Sequence, residues 1–504
     1  MNSRKDIEEI PCIFHKDSLR TRLDKSFWKR LGLQKIKFFY NVKAILEGDS
    51  VASLKENFVK YLWGMRRLKT LRIFVKDYAD DYNEIKWFVG RLERMEGFLC
   101  RLENLSFCLQ TRYKDYQGLI QNKIFFSYVT ELSLESKFDP LYVELLQVSK
   151  NLKSFFFDFW DSEDKPGFVG FLAALGALSQ LKELGFSCAE IVRNFWSSFK
   201  PPSPLRSLSL KIDSYDLMYD RLFRENIEGK DAIGHWKELT ELEFLKLTVA
   251  SRSGEMQSMR RLIGMILKKT HKLRFLTLAV TGYFSIVDFS SQYESFIMEN
   301  MSHIYESLEA FEYSQDLWNN NYVGELDLRL LRPFRNLKKL KLHASPGTKF
   351  FCENVEEAVY LLEENQKEDE TPVLEIQTNL TPDQDWLGES LKKIEKIKRK
   401  DKNLRLIFNL KFVTKNFIKL VEKLCQDIQA AKAIKGLEID LDLESQKGFF
   451  NAPVEKMRKV LSKYRKIDNL RVFWKEEFGQ ILCVKFGDKI EFYIDRSVFW
   501  HWKF

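Results

Sequence analysis

The sequence predicts an α/β fold of one kind: a right-handed parallel coil in which short strands and helical returns alternate along most of the chain. Three observations predict it. An apolar pattern written LxxLxL recurs from residue 33 to residue 467. Segments between copies carry the apolar spacing of a helix. The fifteen copies start about 31 residues apart on average, which is room for one strand and one return each.

The strand pattern is clean at Leu68, Leu71 and Ile73; at Leu102, Leu105 and Phe107; at Val129, Leu132 and Leu134; and at Leu152, Phe155 and Phe157. It continues at Leu181, Leu205, Leu239, Leu273, Leu308, Leu337, Ile434 and Ile467, with an earlier copy at Leu33 and weaker ones near 371 and 404. Side chains alternate across a strand with period two, so positions 4 and 6 share one face and enter a common core. Position 5 then faces the opposite way, onto the concave surface of the coil.

The returns read as helices where apolar residues recur at i, i+3, i+4 and i+7. Ile85, Phe88, Val89 and Leu92 have that spacing, as do Met259, Leu262, Ile263 and Ile266. Phe417, Val421, Leu424 and Cys425 also form one apolar face. Strand, turn, helix and turn wind a chain whose units bury surface only against their neighbours.

These copies resemble the leucine-rich-repeat superfamily over roughly residues 31–475, and the long units look most like its ribonuclease-inhibitor and F-box-associated types. The resemblance implies a horseshoe-shaped solenoid with parallel concave strands and helical convex returns. It also implies an asparagine or cysteine at position 9, whose side chain bonds neighbouring turns. Here Lys76, Gln110, Lys137, Trp160 and Asp213 stand at that position in several copies. The turns must therefore satisfy their backbone groups in another way.

Three regions follow. Residues 1–30 read as an N-terminal helical cap, with Leu19, Leu23, Phe27 and Leu31 on one face. Residues 31–475 are the repeat region. Residues 476–504 form a C-terminal cap: QILCVKF and KIEFYI flank Gly487-Asp488 as a β-hairpin, and Phe499, Trp500, Trp502 and Phe504 follow as an apolar lid. Ile10-Pro11 followed by Trp28 resembles an adaptor-binding F-box in outline, although the segment is too short for the full three-helix form.

Composition excludes several classes. The chain has 504 residues, of which 14% are aromatic, including 42 Phe, and such a content opposes disorder. Seven scattered cysteines contain no CxxC pair, so they read as buried hydrophobes in a reducing, cytoplasmic setting. The charge of +9 is small against 81 basic and 72 acidic residues. No run of apolar residues is long enough to span a bilayer. Motifs for phosphate loops, zinc proteases and nucleophile elbows are missing, so no enzyme activity, metal or cofactor is expected. The basic run LKKIEKIKRKDK reads as a return helix with a solvated side.

The expected function is that of a non-enzymatic protein-interaction scaffold with a protein or peptide on its concave face, and no specific nucleic acid. The candidate contact residues are Arg72, Phe156, Glu243, Phe275, Glu312 and Lys341, large or charged groups that the repeat turns away from the core. Glu312 and Lys341 lie on adjacent strands and could instead pair with each other. The alternative reading is a substrate-recognition subunit of a ubiquitin ligase, recruited through residues 1–32.

Overall fold

The computed structural model describes residues 10–13, 35–40, 63, 68–76, 82–110, 120–159, 167–188, 198–202, 204–214, 239–251, 256–282, 300–317, 328–344, 350–364, 371–380, 405–413, 417–430, 437–444, 454–464, 470–476, 479–486 and 489–495. The chain divides into two compact units, Met1–Leu242 and Glu243–Phe504.

The first unit carries strands β1 (Ile10–Ile13), β2 (Lys35–Tyr40), β3 (Thr70–Lys76), β4 (Asn104–Gln110), β5 (Glu131–Ser136), β6 (Ser154–Phe159), β7 (Glu183–Cys188) and β8 (Ser207–Ser214). Each pairs in parallel with the next in chain order. Between them run helices α1 (Tyr82–Glu93), α2 (Glu96–Leu99), α3 (Lys123–Ser127), α4 (Leu141–Val148) and α5 (Phe168–Gly176). Parallel neighbours need a crossover, and these short helices supply it.

Positions 4 and 6 of the repeat form the core, as the pattern requires. Leu71, Ile73, Leu132, Leu134, Leu184, Phe186, Leu208 and Leu210 are all buried. The helices close over that same face: Phe107 of β4 meets Phe125 and Phe126 of α3 edge-on at 5.8 and 5.4 Å. Phe155 and Phe157 of β6 meet Phe171 of α5 at 6.1 and 5.3 Å. Much of the phenylalanine content is spent here, because broad flat rings fill the gap between a strand and a short helix.

The second unit carries β9 (Phe244–Ser251), β10 (Phe275–Gly282), β11 (Ala310–Leu317), β12 (Lys339–Ala344), β13 (Val373–Leu380), β14 (Arg405–Val413), β15 (Leu437–Glu444) and β16 (Leu470–Glu476), again parallel in sequence order. Its helices are α6 (Met256–Lys268), α7 (Phe350–Glu364), α8 (Phe417–Ala430) and α9 (Val454–Ser462). Shorter 3₁₀ turns at Ser302–Ile304 and Leu328–Leu331 precede β11 and β12. The apolar helix faces read from the sequence are buried at Phe88, Val89 and Leu92, at Leu262, Ile263 and Ile266, and at Val421, Leu424 and Cys425.

Strands β17 (Gly479–Phe486) and β18 (Lys489–Asp495) then turn the sheet antiparallel. They form the hairpin read from the sequence, with Phe486 opposite Lys489 across the two-residue turn. The hairpin is also continuous with the parallel strands, because β17 pairs antiparallel with β16. A tight turn can join antiparallel strands without a crossover, so β16, β17 and β18 follow one another directly.

Two features depart from the sequence reading. The repeat begins earlier, since Ile10–Ile13 is a strand in register with β2 and not part of a helix. Ile7-x-x-Ile10-x-Cys12 fits the repeat pattern and is the signal for it. The apolar face at Leu19 to Leu31, the basic run 391–402 and the aromatic residues 499–504 lie outside the described residues. The second departure is a register step: Phe107, not Leu105, pairs with Leu132. Thr130 accommodates the step, because its hydroxyl accepts from the Leu105 N–H at 3.0 Å and its own N–H donates to the Leu105 carbonyl at 2.9 Å.

The missing asparagine ladder has a backbone counterpart at the strand starts. The Lys153 carbonyl accepts from both Lys182 and Glu183 N–H groups, and the Lys182 carbonyl from both Arg206 and Ser207. Glu243, Arg274 and Glu309 repeat this in the second unit, each taking two N–H groups from the next strand. A carbonyl has two lone pairs, so one acceptor per unit satisfies two donors at the turn.

Candidate interaction face

The side of each parallel run that turns away from the helices carries positions 3, 5 and 7 of the repeat. In the first unit it is made of small side chains around one large one. Ser133 of β5, Phe156 of β6, Gly185 of β7 and Ser209 of β8 lie side by side in register. Phe156 is 38% exposed, although its neighbours Phe155 and Phe157 are buried. Its ring lies over Gly185, where an added Cβ would come within 2.7 Å of Cδ2. Glycine is therefore the residue that lets this ring lie against the sheet. Arg72 is half-buried on β3, opposite Ser106 of β4, with two strands between it and Phe156.

In the second unit the same face is aromatic at one end and charged in the middle. Phe244 of β9 stacks on Phe275 of β10 with ring centroids 4.3 Å apart and planes 2° from parallel. Phe244 remains 42% exposed. The Arg274 guanidinium lies 5.4 Å from the Phe275 ring centre, within cation–π range. Arg274 also makes two hydrogen bonds to Glu309, at 2.9 and 3.0 Å.

The charged part is a ladder along position 5. Thr277 of β10 donates to Glu312 of β11 at 3.2 Å. Lys341 of β12 lies 3.1 Å from Glu312 and 3.4 Å from Glu375 of β13. Lys339 adds a contact of 3.3 Å to the same Glu375. Burial works to lower the Lys341 ammonium, but its hydrogen bond to Glu312 and the two carboxylate charges outweigh that, and its pKa stands above the ordinary lysine value. Glu375 is the recessed member of the ladder, its side chain 12% exposed against 48% for Lys339.

Of the six residues singled out from the sequence, the structure brings Glu312 and Lys341 into contact and sets Phe275 beside Arg274. Glu243 is a correction. It precedes β9, and Lys246 holds position 5 there, since Leu245 and Leu247 align with Leu276 and Leu278 of β10. Leu239, Leu242 and Phe244 fit the pattern, but so do Leu242, Leu245 and Leu247, and strand pairing chooses the second frame. Glu243 serves instead through its carbonyl at the turn, with its carboxylate 3.7 Å from Arg274. Sequence reading missed Phe244, because the earlier frame places it at core position 6.

No family model matches the chain, and no curated protein matches it either. Its chemistry must be read from the residues themselves. Among the described residues no three His, Cys, Asp or Glu side chains gather as a metal site. No helix among them is long and apolar enough to cross a membrane.

Proposed function

We propose that this protein is a non-enzymatic interaction scaffold of leucine-rich-repeat type, whose parallel strands form the concave face of a solenoid and hold a protein or peptide there. The observation that carries this reading is an exposed ring in each unit, Phe156 in the first and Phe244 in the second, each on the side of its own parallel run that turns away from the helices. Large rings left in water on a rigid sheet cost free energy that a partner would recover, and binding energy concentrates at such anchors. Charges already paired across strands, as at Glu312, Lys341 and Glu375, supply a satisfied polar rim.

The test is capture of partners from the native cell extract with tagged protein, followed by mass spectrometry. Phe156→Ala with Phe244→Ala should melt like the wild type and lose its principal partner. Ile124→Ser with Val169→Ser, exposed residues of α3 and α5, should keep it. The reverse outcome would place binding on the helical side and sink the proposal.

A further inference from the structure

Before β4, β7, β8, β10, β11 and β12 an exposed or half-exposed charged residue stands at the start of the strand, and its N–H donates to the carbonyl of the residue before the preceding strand. Before β3 and β4, and again before β9 to β12, these residues alternate in charge. Lys69 meets Glu103 at 2.5 Å. Arg274 lies 3.7 Å from Glu243 and 2.9 Å from Glu309, and Lys338 lies 3.9 Å from Glu309. The alternation is what neighbouring exposed charges at strand spacing should show, since like charges repel.

The column before β6, β7 and β8 breaks the rule. It reads Lys153, Lys182 and Arg206, three cations in succession. Lys182 N–H donates to the Lys153 carbonyl at 2.8 Å, and Arg206 N–H to the Lys182 carbonyl at 2.7 Å, so the three are immediate neighbours. All three are exposed, and among the described residues none has an ion pair. Lys150 and Lys200, in the turns leading to β6 and β8, are exposed as well.

We infer that this edge of the first unit is a docking surface for an acidic polypeptide segment. Charge complementarity names the sign of the partner, and the surroundings name its class. Single-stranded nucleic acid stacks successive bases on several aromatic platforms beside its basic groove, and among the described residues of β6 to β8 only one ring, Phe156, is exposed. The next residues on the sheet face are Ser154, Glu183 and Ser207, in register with one another. Glu183 disfavours a phosphate chain, which is charged at every unit, more than a peptide whose acidic residues can be spaced around it. The spacing also fits, since parallel strands lie about 4.8 Å apart and acidic residues three or four apart on a helix project about 5–6 Å from each other. The cations precede the strands and Phe156 lies three residues beyond Lys153 on β6, so the charge reversal and Phe156→Ala test the two readings separately.

The experiment is a fluorescence-anisotropy titration of a labelled polyglutamate peptide at roughly 0.05 and 0.15 M salt. Lys153→Glu/Lys182→Glu/Arg206→Glu should weaken binding by about tenfold or more, from three exposed pairs lost. Lys419→Glu/Lys456→Glu/Lys459→Glu carries the same change in net charge on exposed positions of α8 and α9 and should bind like the wild type. Equal losses in both variants would overturn the inference, leaving only net charge. Displacement of the peptide from wild type by single-stranded RNA or phosphatidylserine vesicles, at lower concentration than by unlabelled peptide, would overturn its choice of partner. If the reversal variant melts early, the neutral K153Q/K182Q/R206Q variant replaces it, with the same loss expected.

Discussion

Leu208 and Ser209 are consecutive on β8, yet they belong to different environments. Leu208 is wholly buried and Ser209 is half-exposed beside Gly185. Leu208→Ala should cost roughly 2–5 kcal/mol in thermal or urea unfolding, the range for emptying a core leucine site. Ser209→Ala should change little, and equal shifts would contradict the register. The cysteines make a similar contrast. Cys100 is exposed, whereas Cys425 and Cys483 are buried, and burial pushes both thiols from 9.0 to about 12. A folded-state pKa raised in this way stabilises the fold fully below 9.0, and that stability is lost as pH rises towards about 12. Unfolding measured from roughly pH 8 to 11 should therefore decline more steeply for the wild type than for the Cys425→Ala/Cys483→Ala variant. Parallel slopes would remove the two thiols as the cause.

Elements are where the pattern was most legible and also where it slipped. LxxLxL located β2 to β16 because the burial of positions 4 and 6 is a local, period-two property of each strand. It misplaced the β9 frame because Leu239, Leu242, Phe244, Leu245 and Leu247 satisfy two frames, and only pairing with β10 separates them. The ladder Thr277, Glu312, Lys341 and Glu375 was half legible: the pairing of Glu312 with Lys341 follows from adjacency, but the second carboxylate does not. Glu312→Gln should cost about 0–1 kcal/mol in chemical denaturation, as for a half-exposed pair. Lys341→Met should cost more, because the recessed Glu375 loses one of its cations while Glu312 loses its contact as well. A smaller loss for Lys341→Met than for Glu312→Gln would show that the ladder is not cooperative.

At the scale of the whole molecule, parallel strands that pair in chain order confine each core contact to near neighbours. Stability in such an array is close to a sum of unit and neighbour contributions. Leu208→Ala should accordingly raise amide hydrogen exchange most in β6, β7 and β8 and leave β12 to β15 near their wild-type rates. A uniform rise across both units would mean that the chain opens as one cooperative body. The antiparallel β17 and β18 give the parallel run a different ending, and Cys483 and Lys485 of β17 are buried.

The sequence by itself determined the α/β alternation, the inward positions of the strands, three of the helix faces and the terminal hairpin. Each follows from short-range periodicity, which a single strand or helix carries within its own residues. Only tertiary structure decided the register step at Thr130, the frame of β9 and the division between Leu242 and Glu243. It also decided that Phe244 stacks on Phe275 and that Lys153, Lys182 and Arg206 stand together. Those facts depend on which residue of one strand meets which residue of the next. A hydrogen-bond ladder makes that choice between segments about thirty residues apart, and local spacing cannot encode it.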